Sequence, residues 1–130
     1  MKIIASIETT VCIITLHEDG IGSMHFKDNA HMDVAEQMEN HRAIMEITKN
    51  KHTPFVVTAG ENVTLTREAR HNGLKIEDES PMNGSAVVVQ NFAYRIIADF
   101  YLKVQKPKRP FAVFTDIEKA HEWCKQFVNK

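Results

Sequence analysis

The chain has 130 residues, of which 43% are hydrophobic, and its 16 Lys and Arg residues against 17 Asp and Glu residues give a formal net charge of −1. This length predicts a single domain over residues 1–130 with an ordinary core. The even charge argues against a nucleic-acid partner, because such proteins usually present a strongly basic face. No stretch approaches the roughly 18 apolar residues of a membrane span. Glu8 interrupts the short apolar run at the N-terminus, so we expect no signal peptide and a cytoplasmic protein.

The N-terminal third predicts antiparallel strands. Residues 11–16 and 21–26 are two strand-like runs, the first rich in β-branched residues and the second alternating along its length. The turn signal Asp19-Gly20 joins them, which makes a hairpin the simplest interpretation. Residues 2–7 predict a further strand at the edge.

Amphipathic helices then alternate with short apolar strands. Asp33 and Glu36 form a capping box at the start of one of these helices. The alternation predicts an α/β fold: a single-layer, mostly parallel sheet with right-handed crossovers, flanking helices and the N-terminal antiparallel hairpin at one side. Helices are predicted over 34–49, from 66 to Gly73, over 92–104 and over 116–128; strands over 55–60, 86–89 and 111–114; and a loop over 77–84.

An apolar stripe in the predicted helix 92–104 indicates which face meets the sheet. Ile96, Ile97 and Phe100 recur at helical spacing. We therefore expect these side chains to pack against the core strands 55–58, 86–89 and 111–114, which should be mutually parallel.

The cysteines and histidines predict no reactive or metal site. Cys12 and Cys124 fall in apolar segments and are expected to be buried thiols in a reducing compartment. The seven histidines form no His-Glu-x-x-His motif and no tight cluster, although His17 and His25 flank the hairpin turn and could face each other. His121 precedes Cys124 by one helical turn, but a thiol in an apolar stripe favours a core role over catalysis.

Catalytic motifs are equally absent from the sequence. Ser23 and Ser85 each follow a glycine but lack the Gly-x-Ser-x-Gly pattern of a nucleophile elbow. The single Gly60 is followed by an acid, so no phosphate-binding loop is predicted. We therefore expect a non-enzymatic protein without catalytic residues, cofactor or metal.

Two segments are candidates for binding an anion or a partner. The first contains Thr64, Thr66, Arg67 and Arg70. Thr66 is predicted to cap the helix that follows it. The arginines, three residues apart, share a helical face and could bind a carboxylate or phosphate at the carboxyl end of a strand. The alternative is that they are ordinary solvated side chains.

The secondary candidate is the basic connector between residues 106 and 110. Lys106, Lys108 and Arg109 lie there among prolines and could meet an anionic ligand or an acidic partner. Here too a solvated surface loop is the alternative.

Several stretches resemble a family of small uncharacterised bacterial proteins similar in fold to STAS domains, the SpoIIAA-like architecture. These stretches are residues 98–103, 106–111, 114–116 and 120–123. The resemblance implies a non-enzymatic switch that binds a partner protein, in some members under control of a phosphorylated Ser or Thr. The matching place here is 63–66, where the usual Asp-Ser-Ser-Gly-like signature is replaced by Leu65-Thr66-Arg67-Glu68.

Two functions from different classes follow as hypotheses. The preferred one is a non-enzymatic, STAS-like binding or regulatory module that acts through a protein partner, which could be a second copy of the chain. The alternative is a carrier of a small apolar or anionic ligand in a pocket between the helices and the sheet. An enzyme of unknown reaction ranks third.

Overall fold

The fold is a mixed β-sheet with helices on both faces. The computed structural model describes residues 2–90 and 107–130. The described residues form eight strands, β1 (Ile3–Glu8), β2 (Cys12–His17), β3 (Gly22–Phe26), β4 (His31–Met32), β5 (Thr53–Ala59), β6 (Thr64–Leu65), β7 (Met82–Val88) and β8 (Phe111–Phe114), and three α-helices, α1 (Val34–Thr48), α2 (Arg67–Ile76) and α3 (Ile117–Cys124).

Six strands form the main sheet in the order β1-β2-β3-β5-β7-β8. β1, β2 and β3 are antiparallel neighbours, whereas β3, β5, β7 and β8 run parallel. The short strands β4 and β6 form a separate parallel pair. The predicted α/β fold, the N-terminal hairpin and the parallel core strands are therefore confirmed.

The helices divide between the two faces because successive strand residues point to opposite sides. Phe55 belongs to a core cluster with Ile44 of α1, while the next residue, Val56, packs in a second cluster with Ala120 of α3. α2 contacts α1. The face under α1 and α2 is the one that matters for the candidate site.

Two local predictions were wrong. α2 does not end at Gly73 but continues to Ile76, since a glycine inside a helix costs only about 1 kcal/mol. Residues 77–84 are not a loop: Glu77–Glu79 is a 3-10 turn, and β7 begins at Met82. Residues 64–65 form the short strand β6, for which no strand was predicted. The predicted helix 92–104, with its stripe, lies outside the described residues.

Both cysteines are buried and free, as predicted. Burial raises the pKa of the Cys12 thiol and of the Cys124 thiol to about 12 each. Each thiol therefore stays protonated at neutral pH and acts as a small apolar side chain. No helix in residues 2–90 or 107–130 has both the length and the apolar character needed to cross a membrane.

Candidate functional site

A cavity of about 780 Å³ lies between α1, α2 and the sheet. This volume is within the range of about 300–1,000 Å³ that is typical of ligand pockets. Its walls are largely apolar and include Met24, Phe26, Met32, Ile44, Val57 and Val87.

The cavity extends along the strands and also across the sheet, since β3, β5, β7 and β8 all contribute to its wall. At β7 the wall runs from Met82 to Val88, a length of extended chain of about 20 Å. Arg70 lies at the end of the cavity formed by the carboxyl ends of the strands, and Glu77 and Arg109 lie at the opposite end. The cavity is therefore largely apolar and carries charged side chains at both ends.

Two amides in the cavity wall are already hydrogen-bonded within the protein. Asn40 is buried, its oxygen accepts the Thr9 hydroxyl at 2.6 Å, and its nitrogen lies 3.4 Å from the sulfur of Cys12. Gln37 donates to the carbonyl of Ala69 at 2.8 Å and so ties α1 to α2. These side chains hold the walls in place and are not free for a ligand.

His41 is the histidine among the described residues of the cavity wall, and it is only 5% exposed. Its Nε2 atom lies 4.0 Å from a carboxylate oxygen of Glu79. At this distance the two groups make no good hydrogen bond. His41 is thus a buried polar group on a largely apolar wall.

The first binding segment predicted from the sequence lies beside the cavity. Thr66 caps α2 as predicted, because its hydroxyl accepts the N–H of Ala69 at 3.0 Å. The same hydroxyl donates to Asp33 Oδ1 at 2.8 Å, and Asp33 also accepts the N–H of Val34 to cap α1. One carboxylate therefore serves the N-terminal ends of both helices. The positive N-terminal end of α2 therefore already has a carboxylate of the protein close to it.

Asp33 gives this junction a pH dependence. The hydrogen bond from Thr66, and then that from the Val34 N–H, lower the pKa of Asp33 below its ordinary value of 3.8. A folded-state pKa below the unfolded one stabilises the protein above the unfolded value, and this stabilisation is lost as pH falls through the folded value.

We expect Asp33→Asn to lower stability at pH 7 and to approach wild type as the pH falls below about 4. Asparagine still caps a helix, so the change removes mainly the charge. Urea unfolding of both proteins across this pH range measures the difference. Glu46→Gln, an exposed carboxylate of α1, controls for net charge. A stability gap that does not change with pH would contradict the role of the Asp33 carboxylate.

The two arginines of this segment point to different environments. Arg70 lines the cavity, and its Nη1 atom makes one long hydrogen bond, 3.4 Å, to the carbonyl of Leu65. Arg67 is exposed and makes no hydrogen bond or ion pair with the residues that the structure describes. Thr64 is exposed too, and its hydroxyl is hydrogen-bonded to His31 Nδ1 at 2.7 Å. The structure therefore places these four residues in one region. Of the two arginines, only Arg70 lines the cavity.

The second binding segment is occupied by contacts within the protein. The Arg109 guanidinium donates to the carbonyls of Ser80, of Met82 at 2.7 Å and of Asp78 at 3.3 Å. Lys108 is exposed and pairs with the Asp78 carboxylate at 3.4 Å. Lys106 lies outside the described residues. Arg109 thus holds two segments of the chain together through these hydrogen bonds.

The histidine prediction needs a correction. His25 lies opposite Ile13 in the hairpin, not opposite His17. His17 instead lies edge-on to the ring of His121, with ring centres 6.3 Å apart. His121 Nε2 is hydrogen-bonded to Asp19 at 2.7 Å, which fastens α3 to the hairpin turn. Sequence reasoning missed this pair, because residues 102 positions apart give no local signal.

Comparison with known proteins gives a family and a fold. The family model described as "Domain of unknown function (DUF7793)" matches residues 14–128. A solved structure, an uncharacterized protein from the DUF3478 family with a SpoIIAA-like fold from Shewanella loihica PV-4, is similar with a TM-score of 0.62. The match covers 92% of this chain and 97% of that chain at 13% sequence identity, so it shows the fold alone. The SpoIIAA-like fold that the resemblance predicted is confirmed. No curated protein matches.

Proposed function

The chain belongs to the family of the domain of unknown function DUF7793, and for this member we propose a non-enzymatic binding module that carries a small apolar ligand in the cavity between helices and sheet. The observation that supports this proposal is the cavity itself: about 780 Å³, with largely apolar walls built on α1, α2 and the four parallel strands β3, β5, β7 and β8. The two free, buried cysteine thiols of the protein suit the reducing cytoplasm.

The wall supports binding more than catalysis. Its amides are fixed by internal hydrogen bonds, and the acid nearest to His41 is 4.0 Å away. A nucleophile and a base in catalytic arrangement would lie within about 3.2 Å of each other. Apolar walls with few polar groups instead match the ordinary composition of a small-molecule site.

Binding of the uncharged fluorescent probe N-phenyl-1-naphthylamine tests the cavity. Wild type should bind the probe saturably, and Val87→Trp should weaken binding by about tenfold or more by filling the cavity. Ile13→Trp is the matched control, because Ile13 is 39% exposed on the opposite face of the sheet. Ser85→Phe, on the same wall as Val87, is a second filling variant, and thermal melts check folding.

Equal probe affinity in Val87→Trp and wild type would overturn the proposal. So would the absence of saturable probe binding by wild type. A cavity that accepts the probe in wild type and rejects it in both filling variants supports the carrier function.

A protein partner at the exposed edge around α2 is the second candidate function. Leu65 of β6 is 41% exposed, and Arg67, two residues later at the start of α2, is exposed too, so an apolar and a cationic side chain lie close together here. The SpoIIAA-like fold and the resemblance to STAS domains favour the same edge. A partner there would make this a regulatory module.

Arg67→Glu combined with Arg70→Glu should leave folding intact and remove bound proteins in a pull-down from the native lysate. The single variants separate the two arginines: Arg67 is exposed at this edge, whereas Arg70 lines the cavity, so Arg67→Glu alone should remove most of the bound proteins. Light scattering of wild type shows whether the partner is a second copy. Identical partner sets at equal thermal stability would contradict a binding role for this edge.

A further inference from the structure

We propose that the cavity selects single-chain anionic amphiphiles, with the apolar chain along β7 and a carboxylate or phosphate head group at Arg70. This proposal rests on the proposed carrier function and names its ligand class. Three features of the cavity support it: its length along β7, the unequal bonding of its two arginines, and the placement of the acid Glu77.

The cavity is long enough for an unbranched chain. Its wall follows β7 for about 20 Å, and Val87 of β7, Val57 of β5 and Phe111 of β8 are apolar residues that line it. Met24, Met32 and Met82 also line it. Methionine side chains are flexible and adapt to chains of different length.

The two arginines of the cavity differ in what they already bind. Arg109 donates to three backbone carbonyls, which leaves two of its five N–H donors for a ligand. Arg70 makes one hydrogen bond of 3.4 Å, to the carbonyl of Leu65, within the described part of the chain. A guanidinium carries five N–H donors, so Arg70 keeps several for a carboxylate or phosphate, which it can bind in a bidentate manner.

The acids of the cavity fix the direction of the ligand. Glu77 lies at the end opposite Arg70, where its carboxylate accepts the N–H of Lys108 at 3.1 Å and that of Arg109 at 3.2 Å. Glu79, the neighbour of His41, belongs to the same turn. An anionic head would be repelled there and attracted at Arg70, so the head binds at the carboxyl end of the strands.

Displacement of N-phenyl-1-naphthylamine by dodecanoate, dodecyl phosphate and dodecanol tests the head group. Wild type should bind at least one of the two anions about tenfold more tightly than the alcohol. Arg70→Gln should abolish this preference while leaving the affinities for the probe and for dodecanol unchanged. Arg67→Gln is the matched control and should behave as wild type, and Arg70→Lys should restore part of the preference.

The outcomes separate this inference from the function on which it rests. No saturable probe binding by wild type defeats the carrier function itself. Probe binding with dodecanol as strong a competitor as both anions leaves the carrier function standing and overturns the anionic ligand. Loss of preference in Arg67→Gln as well as Arg70→Gln also overturns the role of Arg70. A preference for dodecanoate over dodecyl phosphate, or the reverse, assigns the head group.

Discussion

Phe55→Ala lowers the free energy of unfolding by about 3–5 kcal/mol, the range found when a buried aromatic side chain is truncated. Phe55 is completely buried at the centre of the sheet, in the core cluster under α1. Its ring also covers Gly22, its partner on β3: a Cβ atom at Gly22 would lie 2.5 Å from the ring. Truncation therefore opens a void and uncovers the backbone of the neighbouring strand. Urea unfolding measures the loss.

The contact between Phe55 and Gly22 predicts a coupling that a simple loss of volume would not produce. Gly22→Ala should destabilise wild type, because the new methyl group collides with the ring. In the Phe55→Ala background the same substitution should cost much less, since the ring is gone. Ile13→Ala, at a strand position 39% exposed, is the control and should change stability little. Additive effects of the two core substitutions would contradict the contact.

Arg109→Ala lowers the free energy of unfolding by at least about 2 kcal/mol, because one hydrogen bond from a charged donor is worth about 1.5–3 kcal/mol and Arg109 makes three. The accepting carbonyls belong to Asp78, Ser80 and Met82, between the end of α2 and the start of β7. Arg109→Lys should recover only part of the loss, since an ammonium group lacks the planar fork of guanidinium.

Lys108→Ala is the matched control for the Arg109 substitution. Its ion pair with Asp78 joins two side chains that are each 71% exposed, and such pairs contribute at most about 1 kcal/mol. Urea unfolding of Arg109→Ala and Lys108→Ala should therefore give clearly different midpoints. Equal losses of stability would mean that Arg109 is an ordinary solvated side chain of a surface loop, the alternative considered in the sequence analysis.

The elements of the fold were largely predictable because local signals specify them. Asp33 and Glu36 marked the start of α1, and the capping box is present. Apolar runs marked the core strands. Gly73 led to a wrong helix end. A glycine marks the end of a helix only where the residues after it leave the helical conformation, and here residues up to Ile76 remain helical.

The site was less predictable, and the reason is physical. Val56 and Val57 look alike in the sequence, yet Val56 packs beneath α3 and Val57 lines the cavity. An apolar strand residue signals that it avoids water, not whether protein or a ligand fills the space beside it. Arg70 could be singled out by its charge. The role of Arg109 could not, because its acceptors come from a different part of the chain.

The strand order has a consequence for synthesis on the ribosome. In the main sheet every strand joins the edge left by an earlier one, from β1 at one side to β8 at the other, so no strand must be inserted between two others. The sheet can therefore grow as the chain emerges, N-terminal part first. Until β8 arrives, β7 presents an open edge, the kind of surface on which nascent chains aggregate. A chain that is released before Phe111 has been added would keep the β7 edge permanently exposed.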